Sequence, residues 1–130
     1  MPRIQMQLSR IAVLSFKEFK ILKYGDPNIR ITNGYLVGVA FNSIKDKAEQ
    51  IDWISVDNTS IVGVTKDADK TYQKTFTTLN IETTIHEDIK ELQKYLIQEN
   101  GSRIYFSYVI KLIMLAAILN ISDDYELPIK

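Results

Sequence analysis

At 130 residues the chain has room for one domain, and 45% apolar against 25% charged residues is the balance of a globular protein, not a disordered one. Lysine plus arginine and aspartate plus glutamate number 16 each, so no global field draws the protein towards nucleic acid or an anionic membrane. Cysteine is absent and histidine occurs once, which excludes disulfides, thiolate chemistry, zinc ribbons, iron–sulfur ligation and histidine-rich metal sites.

The first ten residues, MPRIQMQLSR, hold no sustained apolar run before a cleavage site, so no secretory signal is expected. Together with the missing cysteine this points to an intracellular, cytoplasmic protein (host cytoplasm if the gene is viral). Heavy use of isoleucine, lysine well above arginine and scarce alanine fit an AT-rich genome, such as that of a thermophilic archaeon, a Firmicute or one of their viruses. Ile4, Met6 and Leu8 alternate with Gln5 and Gln7, the pattern of a half-buried strand. Residues 11–24 fit both periods, and the β-branched and aromatic content of IAVLSF favours a continuing strand over 11–16. Gly25, Asp26, Pro27 and Asn28 form a turn. Residues 29–32 then read as a strand, Asn33 and Gly34 as a tight hairpin turn, and 35–41 as the returning strand.

Residues 42–50 are polar, a loop or short helix, and 52–56 and 60–65 read as two strands around a tip at Asp57, Asn58 and Thr59. Residues 66–70 form another turn, and the threonine-rich stretch 72–83 suits a pleated surface. From Thr84 the pattern becomes helical. Thr84 and Glu87 have capping-box spacing, Ile85, Ile89, Leu92 and Leu96 make one apolar stripe, and Asn100-Gly101 is a stop. A second helix follows over the apolar run 104–119, broken only by Ser107 and Lys111. It is shorter than the roughly 20 residues a bilayer span needs, and it carries a central lysine. The expected architecture is a single α+β domain over residues 1–130. An antiparallel sheet or partial barrel of about six or seven strands fills 1–83, two C-terminal helices fill 84–120, and a short acidic tail fills 121–130. No motif carries a resemblance to a named family. In outline alone, a curved sheet followed by a capping helix is similar to pleckstrin-homology-like domains.

Motifs that carry chemistry are weak. His86, Glu87 and Asp88 are adjacent, but successive helical side chains point about 100° apart and do not converge. Asp67-Ala68-Asp69 lacks the glycine and closing glutamate of a calcium loop. No phosphate-binding glycine loop and no nucleophile elbow occurs. Trp53 shares a side with Ile51 and Ser55 of the predicted strand and reads as a packing residue. No catalytic residue, cofactor or metal site is therefore expected.

Two surfaces remain. On the apolar helix, Ile104, Ser107, Lys111, Met114 and Ile118 share one face, more apolar than the outer face of a monomer should be. The expected function is a non-catalytic protein-binding or assembly module, of the kind a virus or mobile element encodes. Its interface with a second copy or another protein would be built on Ile104, Tyr108, Lys111, Met114 and Ile118. The first alternative is a nucleic-acid-associated regulatory protein, because Lys17, Lys20 and Lys23 interleave with Phe16, Phe19 and Tyr24, the raw material of a single-strand surface. The second is a small enzyme with carboxylate chemistry.

Overall fold

The alternation at the N-terminus forms β1 (Arg3–Leu8), in a computed structural model that describes residues 3–65 and 75–130. Met6 and Leu8 point inward, and β1 pairs antiparallel with β2 (Thr75–Asn80) in the register Met6↔Thr77 and Ile4↔Leu79. Among the described residues this two-stranded ribbon is the whole sheet, joined elsewhere only by an isolated bridge between Ile51 and Ile129. The remainder is helical: α1 (Arg10–Tyr24), α2 (Asn33–Ile44), a 3-10 turn (Lys45–Lys47), α3 (Trp53–Asn58), α4 (Thr83–Asn100) and α5 (Phe106–Ile121).

The expected sheet or partial barrel of six or seven strands is therefore wrong, and the outline likeness to pleckstrin-homology-like domains falls with it. The reason is local and repeated. Ser9 ends β1 by accepting from the amide of Ala12 at 3.3 Å, and Gly25, at φ 74°, closes the helix by donating to the Ile21 carbonyl at 2.8 Å. Between these caps Ala12, Ser15, Phe16 and Phe19 fall on one buried face, so 11–16 is helix and not strand. Thr32 caps α2 through the amide of Tyr35, which places Asn33 and Gly34 in a first helical turn where a hairpin turn was expected. Asp52 caps α3 through the amide and hydroxyl of Ser55, so 52–56 is also helical. Residues 60–65 are a turn in which the Thr65 hydroxyl accepts from the Ile61 amide and donates to the Thr59 carbonyl. A short apolar run suits a buried helix as well as a strand, and here the caps decide. The strand predicted over 72–83 is present from Thr75 to Asn80; the turn at 66–70, with Asp67-Ala68-Asp69, lies outside the described residues.

The two C-terminal helices exist, with one cap revised. α4 is capped by Glu82, whose carboxylate accepts from the amides of Thr84 and Ile85, so Thr84 lies inside the helix. Gly101 (φ 68°) then turns the chain, and Gln93 donates to the Ile104 carbonyl at 2.8 Å, folding the connection back along α4. α5 is about 24 Å long and packs against α1, α2, α3, α4 and β1. Every residue from Leu112 to Leu119 is buried. A helix apolar on all sides needs this surround, and the other elements supply it. No helix among the described residues is long and apolar enough to cross a membrane.

Two close approaches tie the layers together. A Cβ on Gly34 would collide with the Asn80 carbonyl, so only glycine lets α2 lie this close to β2. The tail beyond α5 folds back over the body: the Asp52 amide donates to the Pro128 carbonyl, the Lys130 amide to the Gln50 carbonyl, and the Val62 amide to the Tyr125 hydroxyl.

Candidate functional site

The tail and the α4–α5 corner enclose an open cleft of about 640 Å³, within the size range of ligand clefts. One wall is α3, with Trp53 and Ile54. The opposite wall is the last two turns of α4, with Tyr95, Leu96 and Glu99. Arg103, Ile104 and Tyr105 of the connection form a rim, Tyr108 and Leu112 of α5 form the floor, and Lys130 closes the far side.

A closed polar network holds the floor. Lys111 is the one charged residue of α5, and an amine on so buried a helix requires a partner. Its Nζ lies 2.9 Å from Asp57 Oδ1 at the end of α3 and 4.3 Å from the centroid of the Tyr108 ring. The Tyr108 hydroxyl donates to the other Asp57 oxygen at 2.6 Å. Burial, with the Asp57 carboxylate beside it, pushes the Tyr108 phenol far above its ordinary pKa and keeps it protonated. A tyrosine held this way is a donor and not a base or nucleophile.

The carboxylates of the cleft are equally committed. Asp52 caps α3, and the Ser55 amide and hydroxyl hold its acid below the usual carboxylate range. Asp57 carries Lys111 and Tyr108. Both carboxylates are thus engaged within the fold, Asp52 as a helix cap and Asp57 as the partner of Lys111 and Tyr108. No group of histidine, aspartate and glutamate that could hold a metal occurs among the described residues.

The rim differs. Ile54 and Tyr105 are 65% and 64% exposed, beside the buried Trp53, Leu96, Ile104 and Leu112 of the same lining. The Arg103 guanidinium lies 5.1 Å from the Tyr105 ring centroid, and the Lys130 amine 5.2 Å from that of Tyr95. Lys130 also donates to the Tyr95 hydroxyl at 2.7 Å, which raises its pKa, and Tyr95 in turn donates to the Glu49 carbonyl. Neither Arg103 nor Lys130 forms an ion pair among the described residues.

No known protein family, curated protein or solved structure matches this chain. Its function is therefore argued from the site alone.

The helix face read from sequence divides in two. Ile104 and Tyr108 line the cleft and Lys111 lies behind its floor, whereas Met114 and Ile118 are wholly buried in the chain's own core. On α1, Lys17 and Lys23 are exposed, Lys20 is half-buried, and none forms an ion pair among the described residues. Phe16 and Phe19 point into the core and Tyr24 packs against it, so no base can stack on the two phenylalanines here. His86 packs edge-on against Phe106 with ring centroids 5.5 Å apart, while Glu87 and Asp88 face solvent. Trp53 is buried in the cleft wall, its indole donating to the Ala48 carbonyl. Sequence reasoning missed Ile54, Tyr95, Arg103, Tyr105 and Lys130. They come from four separate segments, and the only local signal was Arg103 and Tyr105 flanking the α4–α5 turn.

Proposed function

We propose that this chain is a non-catalytic binding module that receives a segment of a partner protein in the cleft at the α4–α5 corner. The observation that carries this is the pair Ile54 and Tyr105, two large apolar side chains that line one cleft and are left mostly in water. Scattered exposed apolar residues are ordinary; two of them lining the same cleft offer an anchor site. The Tyr108–Asp57–Lys111 network supports the reading as well. It fixes the floor beforehand, so binding orders little of the module itself. Ile104 and Tyr108 of the sequence-predicted face belong to this surface; Met114 and Ile118 support it from within.

Panning a library of short random peptides against the folded protein tests the proposal. Selected peptides should bind the wild type with micromolar Kd and lose about tenfold or more on an Ile54→Ser/Tyr105→Ser variant that keeps the wild-type circular dichroism spectrum. Peptides that bind this variant as tightly as the wild type would place the contact elsewhere and overturn it.

A second reading keeps one specific observation, the unpaired lysines of α1. With the phenylalanines buried, α1 would contact a polyanion through charge alone. Such binding would fall steeply with salt and vanish in Lys17→Glu/Lys20→Glu/Lys23→Glu.

A further inference from the structure

The cleft has an electrostatic sense that the Ile54–Tyr105 pair alone does not convey. Five charged groups sit on or under its walls besides the rim arginine, and all of them except Glu99 have a local partner. Asp57 and Lys111 neutralise one another. Asp52 is held by the Ser55 amide and hydroxyl, and Lys130 by the Tyr95 hydroxyl. Among the three cations, Arg103 is different. Among the described residues its guanidinium donates no hydrogen bond and forms no ion pair, yet it is stacked 5.1 Å from the Tyr105 ring. Stacking of that kind orients a guanidinium and leaves its edge donors free.

We infer that the ligand is an acidic–apolar peptide segment, its carboxylate received by Arg103 and the neighbouring apolar side chain seated between Ile54 and Tyr105. This deepens the binding-module reading and rests on it. A planar fork of donors stacked on a ring matches a carboxylate in two parallel hydrogen bonds, which a lysine cannot reproduce. Tyr105 serves both halves of the ligand, with its face towards the cation and its exposed edge available for apolar contact. Lys130 also lines the cleft and adds a second positive charge, with Glu99 and Asp52 near enough to act on it. Glu99 on the α4 wall and the Asp52 carboxylate bias against a ligand with negative charge throughout, which favours one acidic residue beside apolar ones over a polyanion.

The composition of peptides selected on the wild-type protein decides the matter, followed by fluorescence anisotropy on the best of them. Enriched peptides should carry aspartate or glutamate within a few residues of a large apolar residue. Their affinity should fall about tenfold in Arg103→Gln and by a similar factor when the peptide's Asp becomes Asn, with Arg103→Lys recovering only part of the loss. Salt should weaken binding by a few-fold between about 50 and 300 mM. Arg103 is exposed, so a folding defect is not expected, and an unchanged thermal transition confirms it. Peptides that need Ile54 and Tyr105 but bind Arg103→Gln unchanged would overturn the acidic inference while leaving the binding module in place. An oligothymidylate that binds with Arg103 dependence and displaces the peptides would overturn it in favour of a nucleic-acid ligand. Failure to select any peptide would end both readings.

Discussion

Removing Asp57 should destabilise the protein and disorder the floor of the cleft together. Lys111 and Asp57 lie 2.9 Å apart with side chains 15% and 30% exposed, and at an effective dielectric of about 20 their attraction is about 6 kcal/mol. Desolvation of both groups cancels most of that, so the pair contributes far less net stability than it would cost to break. Asp57→Ala leaves an ammonium on a buried helix without a counter-charge and the Tyr108 hydroxyl without its acceptor; a loss of about 3 kcal/mol is expected. Lys111→Met, which keeps the stem and drops the charge, should cost about 1–2 kcal/mol, because Asp57 reaches solvent and still receives Tyr108. The double variant should be no worse than Asp57→Ala alone, a coupling of about 1–2 kcal/mol. Urea denaturation followed by circular dichroism measures each value, and 3 kcal/mol corresponds to a fall in Tm of roughly 10–15 °C. If the two single losses simply add in the double variant, the pair is not coupled and the account of the floor is refuted.

Four further outcomes follow from the geometry. Gly34→Ala would drive a methyl into the Asn80 backbone and should cost about 3 kcal/mol or more, whereas Gly25→Ala, strained only by its φ of 74°, should cost about 1–2 kcal/mol; similar values for the two would contradict the close approach of α2 and β2. Glu82→Ala should lower the thermal transition more than Thr84→Ala, since Glu82 and not Thr84 accepts the first amides of α4; the reverse order would restore the capping box read from sequence. Because the Tyr108 pKa is raised on folding, the folded state holds that proton after the unfolded chain has lost it. Stability should therefore fall as pH rises above the ordinary tyrosine value of 10.0, and Tyr108→Phe should flatten that alkaline limb in denaturation measured against pH. Burial, reinforced by nearby Lys90 and opposed by Glu87, depresses the His86 pKa. The unfolded chain thus takes up the proton first, and stability should drop as pH falls below 6.5, a slope that His86→Gln should reduce.

Much of the C-terminal half was legible because its signals are local. The stripe Ile85, Ile89, Leu92, Leu96 and the stop at Gly101 needed no tertiary information, nor did the demand of the apolar run after Ile104 to be covered. The N-terminal half misled for a definable reason. Residues 11–16, 35–41 and 52–56 are short β-branched and aromatic runs that suit a buried strand or a buried helix equally, and the arbiters were Ser9, Thr32 and Asp52, each serving as a helix cap. Asn33-Gly34 illustrates the same trap. The glycine signalled a backbone constraint correctly, but the constraint is contact with Asn80 across the fold and not a turn.

By itself, the sequence determined that this chain builds a core around one apolar helix, that Lys111 on that helix would need a partner, and that disulfide and thiolate chemistry were unavailable to it. Tertiary structure decided everything that defines the cleft. It supplied Asp57 to Lys111 from α3, turned Met114 and Ile118 inward, and carried Lys130 back across the body into the cleft that Arg103 and Tyr105 also line. The physical reason is range: periodicity and capping act over one or two turns of chain, whereas the cleft joins segments separated by tens of residues, and only packing brings those together.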